Sequence, residues 1–164
     1  MKKLLQVSPQ GIPPIYFRLR EFLANNKWRE ADQETDRLML QIAGKEESQY
    51  LELEDIKNFP IEDLRIIDQL WVKYSDDKFG FSVQKEIWLD CGGKIGEYDY
   101  EVFKKFADRV GWRLKEGKRL IYSDYTFNTT ARGHLPLVPP LPVPSPAVGW
   151  GVEWSVLPWR APGE

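Results

Sequence analysis

The sequence predicts an all-α domain, and three observations predict it. Of the 12 prolines, three lie in the first 14 residues, one is Pro60 and eight fall between Pro136 and Pro162, so the body from about 14 to 130 is nearly free of helix breakers. Within that body, apolar residues recur at spacings of three and four. There is neither an internal repeat nor a heptad run, which points to five to seven short helices packed in one domain. Length agrees: 164 residues suit a single domain, and a chain of that size buries roughly two thirds of its unfolded surface without a staple or metal.

In "PIYFRLREFLANN", Tyr16, Leu19, Phe22 and Leu23 form a stripe that ends at Asn25-Asn26. "KWREADQETDRLMLQIAG" carries a second stripe through Trp28, Ala31, Thr35, Leu38 and Ile42, with Gly44 placed beyond the C-cap. The acids Glu30, Asp32, Glu34 and Asp36 crowd its front half, where the helix dipole favours them. These two helices are neighbours in sequence and one-sided, so they are expected to pack as a pair. Leu51–Ile56 is a short helical turn. Pro60 fits the first turn of a longer helix whose buried face is Leu64, Ile67, Leu70, Trp71 and Tyr74. After the loop "SDDKFG", "SVQKEIWLD" predicts a short helix with Ser82 as N-cap, ended by "CGGKIG". Tyr98 or Asp99 starts another, with Val102, Phe103, Phe106 and Val110 in register and Gly111 closing it. The following 26 residues, "GWRLKEGKRLIYSDYTFNTTARGHLP", lose helical period, and loops of that length are often functional.

Composition excludes several chemistries. One cysteine, Cys91, and one histidine, His134, leave no intrachain disulfide and no zinc site of the usual ligand count. Paired acids such as Glu62-Asp63 and Asp76-Asp77 fall at helix starts or turns, where capping and solubility explain them, so no catalytic residue and no metal ligand is expected. "GGKIG" lacks phosphate-loop spacing. His134, between a glycine and a proline-bounded turn, reads as a capping or packing residue, with an axial ligand to a ring-held metal as the lesser alternative. A formal net charge of −2 argues against a dedicated nucleic-acid binder. No run approaches the ~18 apolar residues of a membrane span, and the amino terminus lacks the apolar core of a signal peptide. The expected setting is therefore cytoplasmic, and the expected state a monomer.

Two features stand apart. From Lys104 to Arg119 there are seven basic residues against Asp108 and Glu116, a patch that suits an anionic small molecule, a nucleic-acid backbone or an acidic partner, or is a solvated face. Aromatic residues also gather beside loops: Phe79, Phe81, Trp88, Tyr98, Trp112, Tyr122, Tyr125 and Phe127, with Arg109, Arg113 and Arg132 among them. That mixture suits a broad, flat apolar anion, or stacking on bases. The absence of recognition-helix and ribonucleoprotein-type motifs weighs against the second.

Five stretches carry a resemblance. "WREADQET" (Trp28–Thr35), "DIKNFP" (Asp55–Pro60), "DLRIIDQLWVKYS" (Asp63–Ser75), "FGFSVQ" (Phe79–Gln84) and "GHLP" (Gly133–Pro136) occur in this order, with "RVGW" and "YSDYTF" in support. Together they resemble the core domain of the genomes-uncoupled-four family, tetrapyrrole-binding regulators of magnesium chelatase. The resemblance covers roughly residues 14–136. It divides the chain into an irregular N-terminal segment 1–13, a tetrapyrrole-binding core 14–136 and a Pro/Trp-rich tail 137–164.

The resemblance implies a cupped helical domain with a concave apolar surface that receives protoporphyrin IX or magnesium-protoporphyrin IX, a bilin being the alternative ligand. It implies no enzymatic activity and no required cofactor. The implied role is stimulation or regulation of magnesium chelatase through its large porphyrin-binding subunit in chlorophyll biosynthesis; the alternative is a sensor or scaffold that keeps the fold without activating chelatase. The implied location is cytoplasmic or peripheral to a thylakoid or other membrane, or chloroplastic in a plant or alga. By the same resemblance Phe79, Phe81, Ser82 and Gln84 are expected to form the wall of the site, Trp112 to lie near the macrocycle, and Arg132 to meet a propionate. Phe79 and Phe81 flank Gly80, and which ring faces ligand stays open. Arg109 and Arg113 join the site on charge and position, since guanidinium groups hold carboxylates in a fork. Many members place a helical extension ahead of this domain, whereas about 13 residues precede it here; this departure bears on chelatase stimulation rather than on binding. The tail, with Trp150, Trp154 and Trp159, is either a surface strap or a contact for a partner or membrane edge.

Overall fold

The computed structural model describes residues 11–46, 51–94, 97, 99–112, 127 and 131–137. Its regular elements are a 3-10 turn (Pro14–Tyr16) and six helices: α1 (Phe17–Ala24), α2 (Trp28–Ile42), α3 (Leu53–Lys57), α4 (Ile61–Tyr74), α5 (Phe81–Asp90) and α6 (Tyr100–Val110). No strand occurs among the described residues, and the fold is all-α as the periodicity predicts. The tail from 138 onward, most of the aperiodic stretch after Trp112, and Tyr98, Arg113, Tyr122 and Tyr125 lie outside the described residues.

Local chemistry sets most helix ends. Pro14 occupies the start of the 3-10 turn, where its missing N–H is no loss. Asn25 closes α1, and Asn26 takes φ 55°, a left-handed value asparagine tolerates. The Asp99 carboxylate accepts from the backbone N–H groups of Glu101 and Val102 at 2.9 and 3.1 Å, capping α6. Gly111 follows α6 in the left-handed region.

Helix α1 packs on α2 and α4, and α5 packs on α6 and α4. The centre is filled by rings. Trp71 of α4 is stacked with Trp28 of α2 at 6.3 Å between centroids, and Phe79 meets both edge-on at 6.3 and 5.4 Å. The buried Trp71 indole N–H donates to Thr35 Oγ1 at 2.9 Å, and that hydroxyl donates to the Ala31 carbonyl. Tyr16 is fully buried, and its hydroxyl donates to the Asp63 carboxylate, tying the 3-10 turn to the first turn of α4.

Two expectations require correction. The acids of α2 do not all serve the helix dipole, because Asp32 and Glu34 are buried. Glu34 takes a two-pronged contact from Arg37 at 2.9 and 2.5 Å, and Asp32 reaches across the fold to the Leu137 N–H at 2.7 Å. Nor is Ser82 the N-cap of α5. The helix begins at Phe81, with Gly80 at the cap position, and the Ser82 N–H donates to the buried Asp68 carboxylate of α4 at 2.8 Å. Gly80 is required there. Its φ is 136°, and a Cβ would stand 2.8 Å from Val72 Cγ2 and 2.9 Å from Asp68 Oδ1. A remote carboxylate thus does the work that a local hydroxyl was expected to do, and it fixes α5 against α4.

Candidate functional site

The fold grips the "RGHLP" segment by backbone and side-chain hydrogen bonds. The Gly133 N–H donates to the Lys78 carbonyl at 2.8 Å, and the Gly80 N–H donates to the Leu135 carbonyl at 3.0 Å. Gln84, wholly buried on α5, donates both side-chain N–H groups, to the carbonyls of Gly133 at 3.1 Å and Pro136 at 2.7 Å. The Trp112 indole N–H donates to the His134 carbonyl at 2.9 Å. His134 lies 2.6 Å by Nδ1 from the Val110 carbonyl. A carbonyl can only accept, so Nδ1 carries the proton, and the imidazole satisfies the last carbonyl of α6. The Leu135–Pro136 peptide is cis. Gly133 has φ 80°, and a Cβ would stand 2.6 Å from Ile87 Cδ1, so the segment seats directly on α5.

This anchorage decides where the expected site residues lie. Phe79 and Phe81 are 1% and 2% exposed, Gln84 and Trp112 are buried, and Ser82 is half-buried. Trp112 meets Phe106 edge-on at 5.4 Å, and Phe106 meets Trp88 at 6.0 Å. These side chains form the frame of the domain. Arg109 and Arg132, by contrast, are exposed. Arg132 leaves the anchored segment and donates to Glu86 Oε2 at 3.0 Å; Arg109, in the last turn of α6, donates to Asp90 Oδ2 at 2.5 Å. The hydrogen bond to Asp90 pushes the Arg109 guanidinium further up from its already high value, so it stays charged throughout the working pH range. Arg113 lies outside the described residues.

The two arginines meet at one surface cleft of about 430 Å³, lined by Glu86, Ile87, Leu89, Asp90, Arg109 and Arg132. Ile87 is buried at its floor, while Leu89 is 45% exposed at its edge. An apolar edge beside two guanidinium groups can receive an apolar body that carries carboxylates. Of the basic run that the sequence singles out, Lys104 pairs with Glu101 at 2.8 Å on its own helix, and Lys115, Lys118 and Arg119 lie outside the described residues. Among the described residues no cluster of three or more metal-ligating side chains occurs.

Sequence reasoning missed Glu86 and Asp90, although their four-residue spacing on a helix places them on one face. It also missed Asp32 and Asp68, each in register with a buried stripe: Asp32 follows Trp28 by four, and Asp68 precedes Trp71 by three.

Fold and site together define an all-α domain that displays an arginine-bearing cleft on a ring-packed frame. Residues 12–143 match the family described as GUN4-like, and the chain belongs to that family. It is 34% identical over 139 residues to the chloroplastic tetrapyrrole-binding protein of Arabidopsis thaliana, covering 75% of this chain and 48% of that protein. It is 33% identical over 134 residues to the Ycf53-like protein of a Synechocystis strain, covering 80% and 53%. The chain therefore spans about half the length of these curated relatives. Among solved structures, it is similar to ligand-free Arabidopsis thaliana GUN4 (TM-score 0.64, 30% identity, 89% of this chain and 94% of that one). It is equally similar to GUN4 of Chlamydomonas reinhardtii (TM-score 0.65, 31% identity, 91% and 90%).

Proposed function

We propose that this chain is a non-catalytic tetrapyrrole-binding regulator, that its ligand is protoporphyrin IX or magnesium-protoporphyrin IX, and that it acts on magnesium chelatase through the large porphyrin-binding subunit. The observation that carries this reading is the continuous family match over residues 12–143, which includes every residue of the arginine cleft. The curated Arabidopsis relative bears the tetrapyrrole-binding name, and the chemistry of the cleft supports it. A porphyrin is flat and apolar with two carboxylates on one edge. Arg109 and Arg132 offer guanidinium forks to those carboxylates, and Leu89 offers apolar contact to the ring. Phe79, Phe81, Gln84 and Trp112 act from beneath, by holding α5, α6 and the "RGHLP" segment in the geometry that presents the two arginines. The chloroplastic relative and the Synechocystis relative suit a plastid or cyanobacterial setting.

Titration with protoporphyrin IX and with a bilin, side by side and followed by tryptophan quenching, tests the reading. Saturable quenching by micromolar porphyrin, weakened in Arg132→Ala without loss of the folded state, is the expected result. Quenching that never saturates would sink it. A pull-down with the chelatase large subunit tests the partner, and its failure with intact pigment binding would leave a binding domain without that regulatory role.

A further inference from the structure

We propose that Glu86 and Asp90 are built-in competitors for the ligand's carboxylates, holding Arg132 and Arg109 one helical turn apart in the free cleft and restraining its affinity for a dicarboxylate edge. This inference rests on the tetrapyrrole reading above and concerns how tightly the same cleft holds its ligand.

Three observations carry it. First, both pairs belong to one cleft and both carboxylates to one helix: Glu86 and Asp90 are four apart on α5, with Cβ atoms roughly 6 Å apart by helix geometry. Their partners come from elsewhere, Arg109 from α6 and Arg132 from the anchored segment. The spacing of the two guanidinium groups is therefore set by α5, and a ligand edge with two carboxylates at similar spacing meets both at once. A monocarboxylate meets one.

Second, each pair is made through a single nitrogen–oxygen contact and stands in solvent. Exposed pairs of this kind contribute little to stability. Apart from a long 3.8 Å contact from Arg109 to Cys91 Sγ, no other partner among the described residues engages either guanidinium group. An arginine has five N–H donors in a fixed fork, so most of that capacity stays available for a bidentate contact with an incoming carboxylate. The incoming group gains the stronger geometry, and the displaced Glu86 and Asp90 return to water at little cost.

Third, the displaced carboxylates do not leave. They remain on α5 beside the arginines, and their like charge opposes the ligand's carboxylates at close range. The cleft is thus restrained in affinity, and removing that restraint should tighten binding rather than loosen it.

The test uses the full chain, protoporphyrin IX and its dimethyl ester, with Glu86→Gln, Asp90→Asn, the double variant and Glu101→Gln. Glu101 pairs with Lys104 on α6 outside the cleft, so its neutralisation controls for net charge alone. Tightening of the diacid by about two- to fivefold for each cleft variant, and roughly tenfold for both, is expected from the size of exposed charge interactions. The dimethyl ester, which has no carboxylate to repel, should show no such gain, and Glu101→Gln should match the unmodified chain. Unchanged or weaker binding by the double variant, with saturable binding by the unmodified chain, overturns this inference alone. So does an equal gain for Glu101→Gln or for the ester. If no form of the protein saturates with either pigment, the tetrapyrrole reading fails and this inference fails with it.

Discussion

The ring cluster around Trp71 and the cleft around Arg109 sit in one small domain and are held by opposite means. Trp28, Trp71 and Phe79 touch one another edge and face, the indole N–H is satisfied by a hydroxyl, and Trp71 and Phe79 are wholly buried. Glu86, Asp90, Arg109 and Arg132 touch one another through single charged contacts in water. Burying a large apolar side chain contributes about 1.5–3 kcal/mol, whereas an exposed ion pair contributes about 0–1 kcal/mol. The cluster can therefore hold the fold while the cleft remains free to exchange partners. A binding domain needs both, since a ligand must break the contacts it replaces without loosening the frame that positions them.

Breaking the cluster should have the largest effect. Trp71→Ala removes a stacked ring and leaves Thr35 without its indole donor, so a loss of about 3–5 kcal/mol is expected, read as a fall in the urea midpoint. A smaller effect should appear on α2, one residue beyond Thr35. Burial pushes the Asp36 carboxyl up from 3.8 to about 6. A raised carboxyl favours the protonated form in the folded chain. Its contribution to stability is complete below about pH 4 and is lost as pH rises through about 6. Asp36→Asn should thus match the unmodified chain near pH 4 and exceed it at pH 8 by on the order of 1 kcal/mol, discounted because the group is only half-buried. Chemical denaturation at both pH values checks the sign; equal stabilities at pH 8 would contradict it. The smallest effect belongs to the cleft. Arg109→Ala should shift stability by no more than about 0.5 kcal/mol, while its porphyrin titration moves measurably. A large stability loss there would erase the contrast between the two regions.

Much of the fold was legible because helix periodicity is a local property. The stripe through Ala31, Thr35 and Leu38, the one through Leu64, Ile67, Leu70 and Trp71, and the Gly111 stop all occur where spacing and residue type place them. The start of α5 was not, since its orphan N–H is satisfied by Asp68, fourteen residues back. The site was legible only in part. The family resemblance singled out Phe79, Phe81, Gln84, Trp112 and Arg132, and charge and position added Arg109, yet four of these are buried and two are displayed. A ring beside a loop reads the same in sequence whether it fills a core or faces a ligand.

By itself the sequence determined the helices and most of their ends, because each of these depends on residues within a turn or two of one another, and it carried the ordered motifs that mark the family. Only the tertiary structure decided which acids are buried and which cations are paired. Arg132 meets Glu86 across 46 residues, Gln84 meets Pro136 across 52, and Asp32 meets Leu137 across 105. Such pairings follow from how helices pack and where the "RGHLP" segment is threaded. The energy that selects them is a property of burial and distance in three dimensions, which spacing along the chain does not encode.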